Sequence, residues 1–230
     1  MKKSDIINLL GAKYGFVSHL EISTPNTGFQ YALIDRTQYA RCERAVYGIV
    51  DEDALLDQDI TYRTSQRTSC GIVNALSTMP PFDLVFVDPH HTYENSFEDI
   101  VGAFSLLRQG GALVIHDCNP PNSQVAAPDL TPGDWCGVTY WAYIDFVLGR
   151  AGITYYTVDT DYGCGVVFKQ PGPDRDTSRL QFDWVRMAWN DDSRYDYFDW
   201  NRQRLLNLIS VDEFRIREGL PLLTPPSASA

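Results

Sequence analysis

Two runs of apolar, β-branched and aromatic residues, FDLVFV at 82–87 and ALVIH at 112–116, constrain this chain more than any other feature. Neither alternates apolar with polar residues, so each strand needs cover on both faces, as in a parallel sheet held between helical layers. Between them Phe97, Ile100, Val101, Phe104 and Leu107 recur at helical spacing over 93–107, and Gly110-Gly111 stops the helix. Strand, helix and strand in this order make one βαβ unit.

The alternation continues in both directions. Strands are expected at 16–22, 44–50 and 60–63, and again at 154–158 and 164–168, the last two joined by Asp159-Thr-Asp-Tyr-Gly163 as an antiparallel pair that closes one edge of the sheet. The pattern predicts an α/β fold, a Rossmann-like seven-stranded, mostly parallel sheet with an antiparallel last hairpin and helices on both faces. A further helix is expected over 138–148, and two more over 180–190 and 195–210, a region carrying Trp184, Trp189, Tyr195, Tyr197, Phe198 and Trp200. A chain of 230 residues suits one domain with an extension. It divides into a Rossmann-like domain over 1–169, a C-terminal helical extension over 170–224 and a disordered tail over 225–230. Residues 119–134, rich in Pro, Asn, Ser and Asp, are too long for an ordinary connection and are read as an active-site loop or lid.

Charge narrows the partners. With 30 Asp+Glu against 19 Lys+Arg the formal charge is -11, which repels a phosphate backbone, so neither nucleic acid nor an anionic membrane is expected as a partner. No stretch approaches the roughly 18 apolar residues of a membrane span, and a cytoplasmic protein is expected. The five cysteines form no CxxC pair, indicate neither a disulfide framework nor a zinc knuckle, and read as mostly buried, reduced thiols.

In doubly wound sheets ligands bind outside the carboxyl ends of the strands. Those ends carry Glu21, Ser23 and Gly28, then Asp51-Glu-Asp53, Thr64-Ser-Gln66, Asp88-Pro-His-His-Thr-Tyr-Glu94 and His116-Asp-Cys-Asn119. Neighbouring strands lie about 5 Å apart, so Asp88, His90, His91, Tyr93, His116, Asp117 and Asn119 are expected to converge. A histidine titrating near neutrality suits the removal of a proton from a hydroxyl. Trp135 and Tyr140, just after the long loop, would wall an acceptor pocket, although aromatics at helical spacing also serve as plain core.

The segments Phe82-Asp-Leu-Val-Phe-Val-Asp-Pro-His-His-Thr-Tyr-Glu94 and Leu107-Arg-Gln-Gly-Gly-Ala-Leu-Val-Ile-His-Asp-Cys-Asn-Pro120 resemble the class I S-adenosylmethionine-dependent methyltransferases. Within that family they resemble the small bacterial branch with DGxHxYE-like and HDxNP-like turns, and the resemblance runs from about residue 16 to 169. It implies S-adenosylmethionine as cofactor, held by Glu21, Ser23, Gly28, Asp51, Ser65 and Asp88, with Asp51 accepting the ribose hydroxyls. Where the family has E/DxGxxxG after the first strand, this chain has Ser23 and Thr27 at the glycine positions and Gly28 one residue late.

The resemblance further implies methyl transfer to an oxygen of a small molecule or glycan precursor. His91 would be the base, assisted by His116, Asp88 and Asp117, with the acceptor touching His90, Tyr93, Asn119, Trp135 and Tyr140. Some relatives hold magnesium between such strand ends; here Asp88, Asp117 and Asn119 would be the ligands, but Cys118 takes the third position, so magnesium is expected to be dispensable and a divalent metal stays an open alternative. Two rival readings are a metal-dependent hydrolase or hydroxylase on the same scaffold and a degenerate domain that only binds a partner. The C-terminal aromatics would serve a homo-oligomer, or simply pack on their own domain.

Overall fold

The computed structural model describes residues 1–25, 30–49, 59–170, 178–187 and 191–221. Among them one sheet holds eight strands: β1 (Ser18–Ser23), β2 (Arg41–Val46), β3 (Tyr62–Arg63), β4 (Phe82–Asp88), β5 (Leu107–Ile115), β6 (Thr154–Val158), β7 (Cys164–Phe168) and β8 (Leu208–Ile209). Their order is β3-β2-β1-β4-β5-β7-β6-β8. Strands β3 to β5 of that order run parallel, β7 is antiparallel to both β5 and β6, and β8 pairs parallel with β6.

The two unbroken apolar runs are the middle of the sheet, and each serves two cores. Leu84 and Phe86 of β4 and Ala112 and Val114 of β5 face α1 (Lys3–Tyr14), through Ile6, Ile7 and Leu10. Val85, Val87, Leu113 and Ile115 face the opposite layer, with α2 (Cys70–Leu76), α3 (Tyr93–Ser105), α4 (Thr139–Leu148), α5 (Ser178–Met187) and α6 (Asp191–Leu205) contributing Ile72, Ile100, Ile144, Trp184 and Phe198. The helix α7 (Val211–Arg217) returns to the first layer with Phe214. Strand β1 is two-faced: Leu20 and Ile22 join the second core, whereas His19, Glu21 and Ser23, all fully buried, form a polar row on the α1 side.

Three expectations need correction. The sheet has eight strands, not seven, because Leu208 and Ile209 pair with Thr157 and Val158; the antiparallel hairpin is therefore covered on its outer side and does not form the edge. The helical pattern over 195–210 breaks at Leu205, where Asn207 takes a left-handed backbone with φ 48 and turns the chain into β8. Strand β2 ends at Val46 and not at residue 50, since Tyr47 is drawn inward and Gly48 turns with φ 71. Helix α1 adds an element not expected above, in which Ile6, Ile7 and Leu10 have helical spacing and Gly15, left-handed with φ 61, ends the helix. The tail over 225–230 lies outside the described residues, and no described helix is long and apolar enough to cross a membrane.

The C-terminal segment is built into the first layer through Phe214, which is fully buried and lies 6.1 Å, ring to ring, from Tyr156. Phe214→Ala is expected to lower the unfolding free energy by about 3–5 kcal/mol, the usual loss for emptying such a site, as read from denaturant titration.

Candidate active site

The carboxyl ends of β1, β4 and β5 lie side by side, with Ser23 directly opposite Asp88 in the register. Four residues expected from the sequence meet there. Asp117, left-handed with φ 59, turns its carboxylate back toward the sheet, and its Oδ2 lies 2.9 Å from His91 Nε2 and 3.0 Å from His116 Nδ1. Asp88 Oδ1 lies 3.4 Å from His116 Nδ1 and 3.8 Å from His91 Nε2. Two further groups complete the cluster. Lys3, from the first turn of α1, brings its Nζ within 3.1 Å of Asp88 Oδ2 and 3.2 Å of each His116 ring nitrogen. Asp161, left-handed with φ 49 in the β6–β7 turn, accepts from the Lys3 backbone N–H at 3.0 Å and faces His116 Nε2 at 3.7 Å.

Burial makes these charges depend on one another. It disfavours ionisation of Asp88 and Asp117, yet His116, with His91, and Lys3 at Asp88, hold both well below the usual carboxylate range. Burial also opposes charge on the imidazoles; for His91, hydrogen bonding to Asp117 and Asp88 outweighs it and raises the pKa to about 9. His116 is raised well above its ordinary value, burial being overcome first by the charges of Asp117 and Asp88. A titration near 6 to 7, natural for a free histidine, is thus displaced upward for both. Packing fixes the His91 ring from the other side: Val138 N–H donates to its carbonyl at 2.9 Å, and Gly137, left-handed with φ 54, approaches so closely that an added Cβ would sit 2.2 Å from that oxygen. Nδ1 of His91 is buried and has no hydrogen-bond partner among the described residues, and the Trp135 ring lies 5.1 Å away.

The remaining expectations divide. His90 is exposed at the rim with its ring 5.8 Å from Trp135, so these two edge the site. Tyr93 points away and donates to Asp145 of α4 at 2.8 Å; Tyr140 is core, 4.5 Å from the Phe198 ring. Ser65 is exposed in a turn. Asn119 is not aimed at the aspartates: its amide donates to Asp159 at 3.0 Å, and its carbonyl accepts from Arg202 of α6 at 2.9 Å. The all-oxygen metal set Asp88, Asp117 and Asn119 is therefore not assembled, and the Cys118 thiol turns to the Ile115 carbonyl. The ligand atoms that do gather, all within 4.8 Å of one another, belong to Asp88, His116 and Asp117. A donor set with an imidazole suits manganese, iron or zinc better than magnesium.

Glu21 is fully buried, 3.3 Å from Arg44 Nε on β2, and accepts from the Ser23 hydroxyl at 3.1 Å. Burial, only partly offset by Arg44, raises its pKa to about 7, and its Oε2 has no hydrogen bond from the described residues. Gly28 and Asp51 lie outside the described residues. Neither Lys3 nor Asp161 was assigned to the site from the sequence; the three left-handed residues Asp117, Asp161 and Tyr162 now mark where the backbone bends to form it.

Residues 20–118 match the family described as "Methyltransferase domain". Over this stretch the chain is similar to a methyltransferase domain. Among solved structures it is similar in fold to the O-methyltransferase TomG from Streptomyces achromogenes, involved in tomaymycin synthesis and in complex with SAM, at 16% identity and TM-score 0.53, over 74% of this chain and 80% of TomG. It is likewise similar to the O-methyltransferase from Bacillus cereus in complex with SAH, at 14% identity and TM-score 0.51, over 72% of this chain and 79% of the other. No curated protein matches the sequence at a significant level. Unlike the usual layout of such folds, in which a helix crosses between parallel neighbours, the described residues joining β1 to β2 in this chain hold two single 3₁₀ turns, Tyr31–Leu33 and Arg36–Gln38.

The raised His91 pKa sets a sign for stability. The unfolded ring titrates near about 6.5 and the folded one near about 9, so the folded state holds the extra proton between them, and that contribution is whole below pH 6.5 and lost by pH 9. Denaturant unfolding should show stability falling over this window by about 3 kcal/mol through His91, and His91→Gln should remove that share of the fall.

Proposed function

We propose that the chain is an S-adenosylmethionine-dependent O-methyltransferase acting on a hydroxyl of a small molecule or glycan precursor. The observation that carries this reading is the Asp117–His91 pair: Asp117 accepts the Nε2 proton at 2.9 Å, which leaves Nδ1 as the atom able to take a proton. A carboxylate behind an imidazole fixes the tautomer and stabilises the imidazolium that forms. His91 lies at the strand-four end, so a hydroxyl placed against it, between His90, Trp135 and the β5 end, would be deprotonated where the methyl group arrives. The cofactor, when bound, supplies a sulfonium methyl for in-line transfer. Glu21 and Ser23 fit its cationic end, because the buried Glu21 Oε2 lacks a partner that an ammonium would provide; Asp51 and Gly28 are proposed as cofactor residues on the sequence resemblance alone. His116, clamped between Asp88 and Asp117, serves as a fixed charge and not as a second base.

The competing reading, a metal-dependent hydrolase or hydroxylase, draws on the Asp88, His116 and Asp117 donors. Association between copies would use Trp200 and Phe182, which stand out from α6 and α5 while Trp184 and Phe198 pack inside.

The two enzymatic readings separate in one experiment. Calorimetry with S-adenosylhomocysteine should show binding that is equal in wild type and His91→Ala, while turnover of an acceptor hydroxyl falls by about 100-fold to 10,000-fold in the variant. The wild-type rate should rise with pH to a plateau above about 9, because a protonated His91 cannot accept a proton, and the inflection should vanish in the variant. Absence of S-adenosylhomocysteine binding refutes the methyltransferase assignment; binding with an unchanged His91→Ala rate refutes the role of the histidine.

A further inference from the structure

Helix α1 does more than cover the sheet. Its apolar face is locked into the first core by Ile6, Ile7 and Leu10, and its start is tied to the β6–β7 turn, where Asp161 accepts from the Lys3 N–H at 3.0 Å and the Thr160 hydroxyl donates to the Met1 carbonyl at 2.5 Å. These anchors leave Lys3 little freedom except to run inward, where its side chain is only 10% exposed. The Nζ then sits 3.1 Å from Asp88 and 3.2 Å from both ring nitrogens of His116, over the ring and against two of the three groups whose ligand atoms gather within 4.8 Å.

A divalent ion bound by Asp88, His116 and Asp117 would have to lie about 2.0–2.3 Å from each donor atom. An ammonium in contact with two of those donors competes for the same space and repels the incoming charge. It also does part of what such an ion would do: it neutralises a buried carboxylate and presents positive charge at the strand ends, from a compact head with three donors. Because α1 is held by core packing, the ordering of this long side chain is largely accomplished on folding.

We propose that the Lys3 ammonium is the resident cation of this centre, standing in the place of a divalent ion and positioning Asp88 and His116 in its stead. The inference rests on the reading of the cluster as the catalytic centre, yet it makes a claim about cation binding that can be measured without turnover. In the full chain, Mn²⁺ binding is followed by calorimetry and by the electron paramagnetic signal of the free ion, for wild type, Lys3→Arg, Lys3→Ala and Lys3→Met, the last keeping the apolar stem if the alanine variant does not fold.

Wild type and Lys3→Arg are expected to bind Mn²⁺ weakly or not at all. Lys3→Ala or Lys3→Met should gain a site about 10–100-fold tighter, and adding Asp117→Asn should abolish it. A purely structural lysine would lower thermal stability without creating this site. Wild type that binds Mn²⁺ as tightly as the variants overturns the proposal, as does a folded variant that gains no site. Failure here leaves S-adenosylhomocysteine binding and the His91 rate profile untouched, so the two readings fall separately.

Discussion

The structure turns on a buried exchange of charge at the ends of β4 and β5. Asp88, Asp117 and Asp161 face Lys3, His91 and His116 within a few ångströms, and each would be costly to bury alone. Their contacts are shared: Asp117 meets both imidazoles, His116 meets all three carboxylates, and Lys3 reaches Asp161 through its backbone and Asp88 through its side chain. Such a network ties four separate chain segments, the first helix turn, two strand ends and the last hairpin turn, to one geometry. It also explains why neither histidine behaves like a free imidazole.

Backbone shape makes the network possible. Asp117 and Asp161 adopt left-handed conformations that most residues avoid, and aspartate tolerates them better than branched or bulky side chains do. Gly137 and Gly163 perform the matching task on the loops: a Cβ on Gly163 would lie 2.4 Å from Asn119, as one on Gly137 would press on His91. The long connection over 119–138 is pinned at a few points, while residues 128–130 and 132–134 stay exposed. Cys136 and Gly137 donate to the Val125 carbonyl, the Trp135 indole donates to the Ala127 carbonyl, and Ala126 is buried.

The C-terminal segment reaches the same region from the other side. Arg202 of α6 donates to the Asn119 side chain and the Pro120 carbonyl, and Tyr195 also meets that carbonyl, so the turn after β5 is held by residues some eighty positions later. Beneath the site another buried carboxylate, Asp99 of α3, accepts from Tyr47 at 2.5 Å and from Ser69, and the Tyr47 hydroxyl in turn accepts from the His90 N–H at 2.8 Å. Burial raises the Asp99 pKa to about 7. This links the chain after β2 to the loop after β4 that carries His91, across the one intervening strand, β1.

Local pattern was enough for β4, β6 and β7, for α3 and α4, and for the convergence of Asp88, His91, His116 and Asp117, because strand periodicity and adjacency in a parallel sheet are properties of short segments. It could also have yielded α1, whose spacing was legible but short. What it could not supply was direction. Tyr93, Asn119 and Tyr140 are as polar or aromatic as the residues that do line the site, yet they turn to Asp145, to Asp159 and Arg202, and to Phe198, partners supplied by elements distant in sequence. Lys3 is the converse case. Nothing near residue 3 marks it as a site residue, and only the packing of Ile6, Ile7 and Leu10 against β4 and β5, at least 74 positions on (Leu10 to Leu84), carries its ammonium to Asp88. Sequence determined which residues sit at strand ends; tertiary packing decided which of them face one another, since a side chain's partner in a buried charge cluster is set by whatever the rest of the fold brings within reach.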